Sequence, residues 1–407
     1  MGKFDYYFLM NEEDVKEYVL KKTVLFDKNS KLSCEEIGDG YLNYVYRIKD
    51  IKTNKSIIIK QSTMEARIDN KIKLSVDRMR IECEMLQLGS KIVEGLVPQI
   101  YFYDENMGLC CMEDISRYEK LTDALLERRI LPKFPEQIST YLFNSLFLTT
   151  DICLDHKVKK NAVKNFINPE LSELKEEGIY TEPFDNICNR NIVVKENLEF
   201  IRKELYEDEK LHLEVAKCKF DFMNNTQALL HGDLHSGAIF VTENELKIID
   251  AEFACYGPIG YDIGYVLSNM YLAWINAYYN MNDKIKREVY LCWIEKVIKD
   301  IVDLFIKKCL NQFNKTVIDK VALVSGFKEW YINNIIKDTA AVTGLSIIWR
   351  SISVVKGREI NEIIDYDKLV AAERKCVLDG KSYIMNRENF NTGEDFIKII
   401  RKGMSRL

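Results

Sequence analysis

A short segment in the second half of the chain restricts the fold more than any other feature of the sequence. Residues 231–237 read HGDLHSG, and the pattern at 239–249 predicts two short apolar strands around a polar turn. The second strand runs directly into a pair of acidic residues, Asp250 and Glu252. Because a hairpin brings its two ends side by side, we expect Asp233 to face this pair.

Clustered carboxylates such as these need a chemical reason to be close together. They repel one another unless a cation or a proton intervenes, and Mg²⁺ held by carboxylates and substrate phosphates is a common solution. In strand geometry Asp250 and Glu252 point to the same side. The plain alternative is that Asp233 caps a turn while the pair lies on a solvated edge. The order of loop, hairpin and acidic pair is similar to that of kinase-like small-molecule phosphotransferases, which favours a catalytic Asp233 and a metal site.

A second candidate element lies near the start of the chain. Gly38, Asp39, Gly40 and Asn43 fall in a turn between two predicted strands, and Lys60 ends the next strand. Glycines at such a turn let backbone N–H groups approach phosphates, and a lysine on the third strand can reach the phosphates of ATP. A plain hairpin turn explains the glycines about as well, and a lone lysine often extends to solvent.

The helix predicted at 77–88 offers an acidic partner for this lysine. Glu82 is preferred because its spacing puts it beside the apolar positions of the helix, but Glu84 stays open. Either glutamate could instead form a surface pair with Arg78 or Arg80.

The pattern of elements predicts an α+β protein with two lobes. Residues 1–115 have strand patterns around one helix, and residues 116–407 consist largely of long helical patterns. Glu113 to Ile115 follow the strand predicted at 109–112, where a hinge would offer backbone groups to adenine. We therefore expect an N-terminal lobe with the nucleotide elements and a mainly helical C-terminal lobe with the catalytic loop, the metal site and the substrate pocket.

Composition narrows the class of partner. The chain has 407 residues and is 47% hydrophobic, which is enough for two packed lobes. Its 63 acidic and 58 basic residues form no basic block, so neither nucleic acid nor a membrane surface is expected as a partner. Eleven cysteines without a CxxC pair are interpreted as buried thiols of a reducing compartment. Without a signal-peptide pattern or a long apolar run, the protein is expected to be soluble and cytoplasmic.

Six segments carry a family resemblance. In order, spacing and wording the sequence resembles the S-methyl-5-thioribose kinases, which belong to the aminoglycoside phosphotransferase and choline kinase group. The resemblance covers roughly residues 35 to 355, and its part at 250–264 is specific to these kinases within the group. The segments are EIGDGYLNYVYRI, IIIKQ, DRMRIECEML, CCMEDIS, HGDLHSGAIF and IIDAEFACYGPIGYDIGYVL.

The resemblance implies a protein-kinase-like fold and a specific reaction. ATP and Mg²⁺ would serve to phosphorylate the anomeric hydroxyl of 5-methylthioribose in methionine salvage, usually in a homodimer. Asp233 would orient the attacking hydroxyl and contact the sugar, Asp250 and Glu252 would hold Mg²⁺, Lys60 would bind ATP phosphates, and residues 38–43 would form the phosphate loop.

Three positions depart from the family pattern. Ala238 stands where many relatives have a metal-binding asparagine and these kinases usually have serine, and Ala251 replaces a proline. In the late helix a pair of adjacent arginines is expected near the substrate, and the sequence has Trp349 and Arg350. Both are candidate substrate-binding residues, although Trp349 could equally pack in the core.

Two alternatives therefore stay open. One is a kinase of a different small sugar or amino alcohol on the same fold. The other is a nucleotide-binding pseudokinase without turnover, against which stands the presence of Lys60, Asp233, Asp250 and Glu252 together.

Overall fold

The computed structural model describes residues 2–38, 42–65, 67 and 73–404. The chain forms two compact units, the first comprising Met1–Tyr118 with Lys247–Ala254 and the second comprising Glu119–Leu246 with Cys255–Leu407. The short return segment thus carries both acidic residues of the predicted metal site into the first unit.

The first unit is built on a five-stranded antiparallel sheet of order β1-β2-β3-β5-β4. Its strands are β1 Leu32–Glu36, β2 Asn43–Asp50, β3 Ser56–Ser62, β4 Ile100–Asp104 and β5 Leu109–Glu113. Its helices are α1 Glu12–Lys22 and α2 Arg78–Ile92. The three-stranded meander, the helix and the two further strands predicted from the sequence are confirmed, whereas α1 was not predicted.

Alternation along β3 explains how the sheet carries a functional side chain. Ile57 and Ile59 lie in the core cluster that includes residues of α1. Ile58 belongs instead to a cluster with Met79 of α2. Because successive strand residues point to opposite faces, Lys60 shares the face of Ile58 and is directed toward α2.

The second unit is mainly helical, which confirms the predicted α+β class. Its strands are β6 Glu119–Lys120, β7 Ala228–Leu230, β8 Ile239–Val241, β9 Leu246–Ile248 at the border of the units, and β10 Cys255–Gly257. Its helices are α3 Leu121–Leu126, α4 Phe134–Leu146, α5 His156–Asn165, α6 Pro169–Gly178, α7 Glu182–Asp185, α8 Leu198–Ile201, α9 Glu209–Asn224, α10 Gly260–Asn280, α11 Lys284–Thr316, α12 Phe327–Ile352, α13 Arg358–Asn361, α14 Tyr366–Met385 and α15 Gly393–Met404. Among the described residues, none of the helices combines the length and the apolar character needed to cross a membrane.

Close helix packing fixes the positions of α10 and α12. A methyl group at Gly260 of α10 would come within 2.5 Å of the Thr339 backbone nitrogen, and one at Gly344 of α12 would come within 2.3 Å of the Gly380 carbonyl oxygen of α14. Only glycine allows backbones to approach so closely. The rigid packing holds the first turn of α10 and the last turns of α12 in place.

Two expectations are corrected by the structure. The second hairpin strand ends at Ile248, and Ala251–Phe253 form a single 3₁₀ turn, so strand geometry does not apply to the acidic pair. The cysteines are free, but Cys188 and Cys292 are exposed rather than buried. Cys188 lies in a polar segment, and Cys292 lies on a face of α11 that the core does not cover.

Candidate active site

A buried ion pair joins Lys60 to Glu82 in the first unit. The Lys60 Nζ atom lies 2.7 Å from Glu82 Oε2 and also contacts a carboxylate oxygen of Asp250. Glu82 is fully buried on α2, whereas Glu84 is partly exposed and lies 3.1 Å from Arg80. Of the two glutamates left open by the sequence, Glu82 is therefore the partner of the lysine.

The electrostatics of this pair depend on burial and on neighbouring charges. Burial alone would lower the pKa of Lys60, but the carboxylates of Asp250 and Glu82 outweigh it and raise the pKa well above its ordinary value. Burial also raises the pKa of Glu82, and Lys60 opposes that shift. The lysine thus stays charged, and it is held by two carboxylates on different elements.

Asp250 has an unusual backbone conformation. Its φ angle is 67°, in the left-handed region that aspartate and asparagine tolerate better than most residues. This conformation ends β9 and turns the chain into the 3₁₀ turn that contains Glu252. The Asp250 side chain stays partly exposed, which leaves a carboxylate accessible to a ligand.

Glu252 is buried in a network of its own. Its Oε2 atom accepts hydrogen bonds from Arg78 Nε and from Asn43 Nδ2, each at 3.0 Å. Arg78 Nη2 also donates to Asn43 Oδ1 at 3.0 Å. The two acidic residues therefore contact different cations, because the turn at Asp250 separates their directions.

The remaining nucleotide candidates lie along the same sheet. Gly38 follows β1 with a φ angle of +82°, while Asp39 and Gly40 lie outside the described residues. Glu113 ends β5 and accepts a bond from Lys247 Nζ at 3.2 Å, and Ile115 is buried two residues later. Their predicted contact with a nucleotide stays a prediction.

Asp233 lies in a loop of the second unit that is fixed through its backbone. Both carboxylate oxygens of the buried Asp262 accept hydrogen bonds from this loop, one from His231 N at 2.6 Å and one from Gly232 N at 3.0 Å. Gly232 has a φ angle of +82°, which favours glycine at this turn. The Asp233 side chain is partly exposed, 3.7 Å from His235 Nε2. The hydrogen bonds that anchor the loop to Asp262 thus do not involve the Asp233 carboxylate.

Trp349 and Arg350 lie near the end of α12, in the same unit as Asp233. The Trp349 ring centroid is 6.3 Å from that of Tyr265 on α10. Burial raises the pKa of Tyr265 well above its ordinary value, Asp233 adds to the shift, and Arg350 opposes it. The charges of Asp233 and Arg350, two candidate residues for binding the acceptor, therefore both affect the pKa of Tyr265.

Sequence reasoning missed two residues at these sites, Arg78 and Asp262. Arg78 is buried and donates to Glu252, although the sequence suggested a surface role for it. Its position four residues before Glu82 puts both on one face of α2, which was the available signal. Asp262 lies in the first turn of an otherwise apolar helix, where a lone acidic residue indicated a specific partner.

Comparison with known proteins identifies the class. The model of the phosphotransferase enzyme family matches residues 193–283. A methylthioribose kinase of Geobacillus sp. (strain WCH70) is 31% identical over 372 residues, which are 91% of this chain and 90% of that protein. A methylthioribose kinase of Bacillus cereus (strain ATCC 10987 / NRS 248) is 32% identical over 382 residues, 93% of each. A solved choline kinase from Cryptosporidium parvum Iowa II aligns over 97% of each chain with 14% identity and a TM-score of 0.48.

The structure contains the buried Lys60–Glu82 pair, the turn with Asp250 and Glu252, and the fixed loop with Asp233. The sequence of the chain also matches phosphotransferases. The chain is a kinase of the protein-kinase-like fold class that transfers phosphate to a hydroxyl group. It belongs to the methylthioribose kinase family, which confirms the resemblance found in the sequence.

Proposed function

We propose that this chain uses ATP and Mg²⁺ to phosphorylate the anomeric hydroxyl of 5-methylthioribose in methionine salvage. The observation that carries the proposal is the match to relatives named methylthioribose kinase over more than nine tenths of the chain. A homodimer, implied by the resemblance, and a cytoplasmic location, expected from the sequence, are part of the same proposal.

The nucleotide would be bound by residues of the first unit. Lys60, fixed by Glu82, would contact the phosphates. The donor set fits Mg²⁺, because Asp250 and Glu252 are hard oxygen ligands and Asp250 is accessible. Bound Mg²⁺ would neutralise charge on the transferring phosphate. Arg78 and Asn43 would hold Glu252 in place.

The acceptor would be bound by residues of the second unit. Asp233 would accept the proton of the attacking hydroxyl and orient it. Arg350 would supply positive charge to the transferring phosphoryl group or to the sugar. Trp349 would offer a flat apolar face to the methylthio group or the sugar ring.

Replacing Lys60 by alanine is expected to raise the Michaelis constant for ATP and to lower turnover, with little effect on sugar affinity. The reason is that the Lys60 side chain is paired with Glu82 of α2 and is assigned to the ATP phosphates rather than to the sugar. Steady-state kinetics with each substrate varied would measure this. Melting curves are needed beside them, because Glu82 would lose its buried cation.

The matched control is Lys49→Ala, which removes an exposed lysine from the neighbouring strand β2. It should behave like wild type. A Lys60 variant altered only in sugar affinity would show that the nucleotide has been assigned to the wrong residues.

The substrate is tested by a panel of methylthioribose, ribose, other 5-substituted riboses and simple amino alcohols, with transferred phosphate measured directly. We expect methylthioribose to be phosphorylated at its anomeric hydroxyl. Arg350→Ala should lower that rate at least about a hundredfold, because a fixed cation near the transferring charge is lost. The single arginine at this position leaves room for a related sugar to be preferred.

The panel also separates the alternatives. Efficient use of an unrelated alcohol without any transfer to methylthioribose would refute the specific substrate and leave the kinase class. Binding of ATP and Mg²⁺ in a thermal-shift scan without transfer to any alcohol would favour a pseudokinase.

A further inference from the structure

A fully buried carboxylate, Glu359, lies beside the loop that carries Asp233. It is on α13, and its Oε1 atom accepts a hydrogen bond from Ser236 Oγ at 3.4 Å. Its backbone carbonyl accepts a bond from Asn276 Nδ2 at 2.6 Å. Neither the proposed chemistry nor the anchoring of the loop by Asp262 uses this carboxylate.

Hydrogen bonds of both its side chain and its backbone hold Ser236 within the second unit. Its hydroxyl lies 2.7 Å from that of Thr122, and its backbone N–H donates to Asn269 Oδ1 at 3.2 Å. Each hydroxyl has one proton, so Thr122 donates to Ser236 when Ser236 donates to Glu359. Glu359 thus ends a hydrogen-bonded chain that fixes the loop three residues after Asp233.

The other carboxylate oxygen of Glu359 has an unusual neighbour. Oε2 is buried, and no hydrogen-bond partner for it is found among the described residues. The same holds for Nε of Arg350, although the rest of that side chain is partly exposed. Both atoms surround Gly357: a methyl group there would lie 2.7 Å from Glu359 Oε2 and 3.6 Å from Arg350 Nε.

Leaving a buried acceptor and a buried charged donor unpaired costs free energy, and both atoms lie close to the same glycine. The backbone around them is already fixed, because Gly357 N donates to the Arg350 carbonyl at 2.9 Å. The remaining freedom lies in the arginine side chain. Arg350 as a whole is partly exposed, although its Nε atom is buried.

We propose that Glu359 is a positioning residue that couples Arg350 to the Asp233 loop. Oε1 holds Ser236, and Oε2 accepts the Nε–H of Arg350 when the outer nitrogens of the guanidinium bind the acceptor or the transferring phosphoryl group. One buried carboxylate then sets the positions of two groups that act on the same hydroxyl. This inference rests on the roles proposed above for Asp233 and Arg350.

The test is Glu359→Gln, measured with the best sugar substrate in the wild-type and Arg350→Ala backgrounds. Glutamine keeps an oxygen for Ser236 but replaces Oε2 by an NH₂ group, which cannot accept from Arg350. We expect kcat/KM to fall about tenfold in the wild-type background and by less than about twofold in Arg350→Ala, because the two residues act as a unit. Glu362→Gln, an exposed change on the same segment, is the matched control.

Equal losses in both backgrounds, or no loss in either, would overturn the proposal. A purely structural role would lower the melting temperature and reduce activity equally in both backgrounds. Should Glu359→Gln not fold, Gly357→Ala replaces it, since its methyl group would wedge between Glu359 Oε2 and Arg350 Nε at a backbone φ of −60° that alanine adopts freely. We expect Gly357→Ala to lower kcat/KM in the wild-type background and much less in Arg350→Ala. Any other pattern would overturn the proposal as well.

Failure of the proposed function gives a different result. If wild type transfers phosphate to none of the sugars or amino alcohols, the proposed function and this inference fall together. If wild type is active and neither variant shows dependence on Arg350, only the inference falls.

Discussion

Replacing Asp233 by asparagine is expected to lower turnover at least about a hundredfold while ATP still binds. Asparagine has the same shape but cannot take a proton from the attacking hydroxyl. The hydrogen bonds that hold the loop run from the backbone of His231 and Gly232 to Asp262, so the loop should keep its conformation. Turnover with saturating substrates and calorimetric titration with the nucleotide would measure the two effects separately.

The control for this variant is Asp367→Asn, an identical change at an exposed position on α14. It should leave turnover, nucleotide binding and melting temperature unchanged. Near-normal turnover in Asp233→Asn would remove Asp233 from the mechanism, whatever the nucleotide binding shows.

Local sequence patterns were sufficient for those parts of the fold that depend on periodicity. The apolar run that ends in Lys60 predicted strand β3, and strand alternation explains why Ile58 lies on the face opposite Ile57 and Ile59. Helical spacing likewise identified α2 and favoured Glu82 over Glu84. Periodicity succeeds here because each side chain's direction follows from its neighbours along the chain.

Local sequence periodicity did not predict the turn at Asp250. The sequence continues from an apolar strand into the acidic pair without glycine or proline to mark a break. The left-handed conformation of Asp250 occurs together with tertiary contacts, which include the ion pair with Lys60 from a strand almost two hundred residues earlier. Aspartate tolerates this conformation, but nothing in its immediate sequence requires it.

Buried polar partners were missed for a related reason. Arg78, Asp262 and Glu359 are charged residues, and a sequence without structure places such residues at the surface by default. Their burial becomes favourable only because partners distant in sequence satisfy them, as Glu252 does for Arg78 and the backbone of the loop that carries Asp233 does for Asp262. The candidate catalytic residues were therefore easier to find than the residues that hold them.

Asparagine at position 250 should produce the largest loss on the nucleotide side. It tolerates the left-handed backbone of Asp250, so the turn to Glu252 should be kept, whereas alanine would add backbone strain. The variant loses the negative charge that would hold Mg²⁺ against the ATP phosphates. We expect Mg²⁺-dependent nucleotide binding to weaken and turnover to fall at least about a hundredfold, because losing a ligand should cost no less than losing a partner that orients one.

The comparison with Glu252→Gln makes this result specific. Glu252 is buried against Arg78 and Asn43, and glutamine can still accept one of their hydrogen bonds, so a smaller loss of nucleotide binding is expected. Titration of both variants with Mg²⁺ at fixed ATP, beside melting curves, separates a lost metal ligand from a disturbed turn.

A Mg²⁺ dependence like that of wild type in Asp250→Asn would exclude this carboxylate as a ligand. Since Lys60 would still be held by Glu82 in that variant, the contact between Lys60 and Asp250 would then be an ion pair that only stabilises the turn.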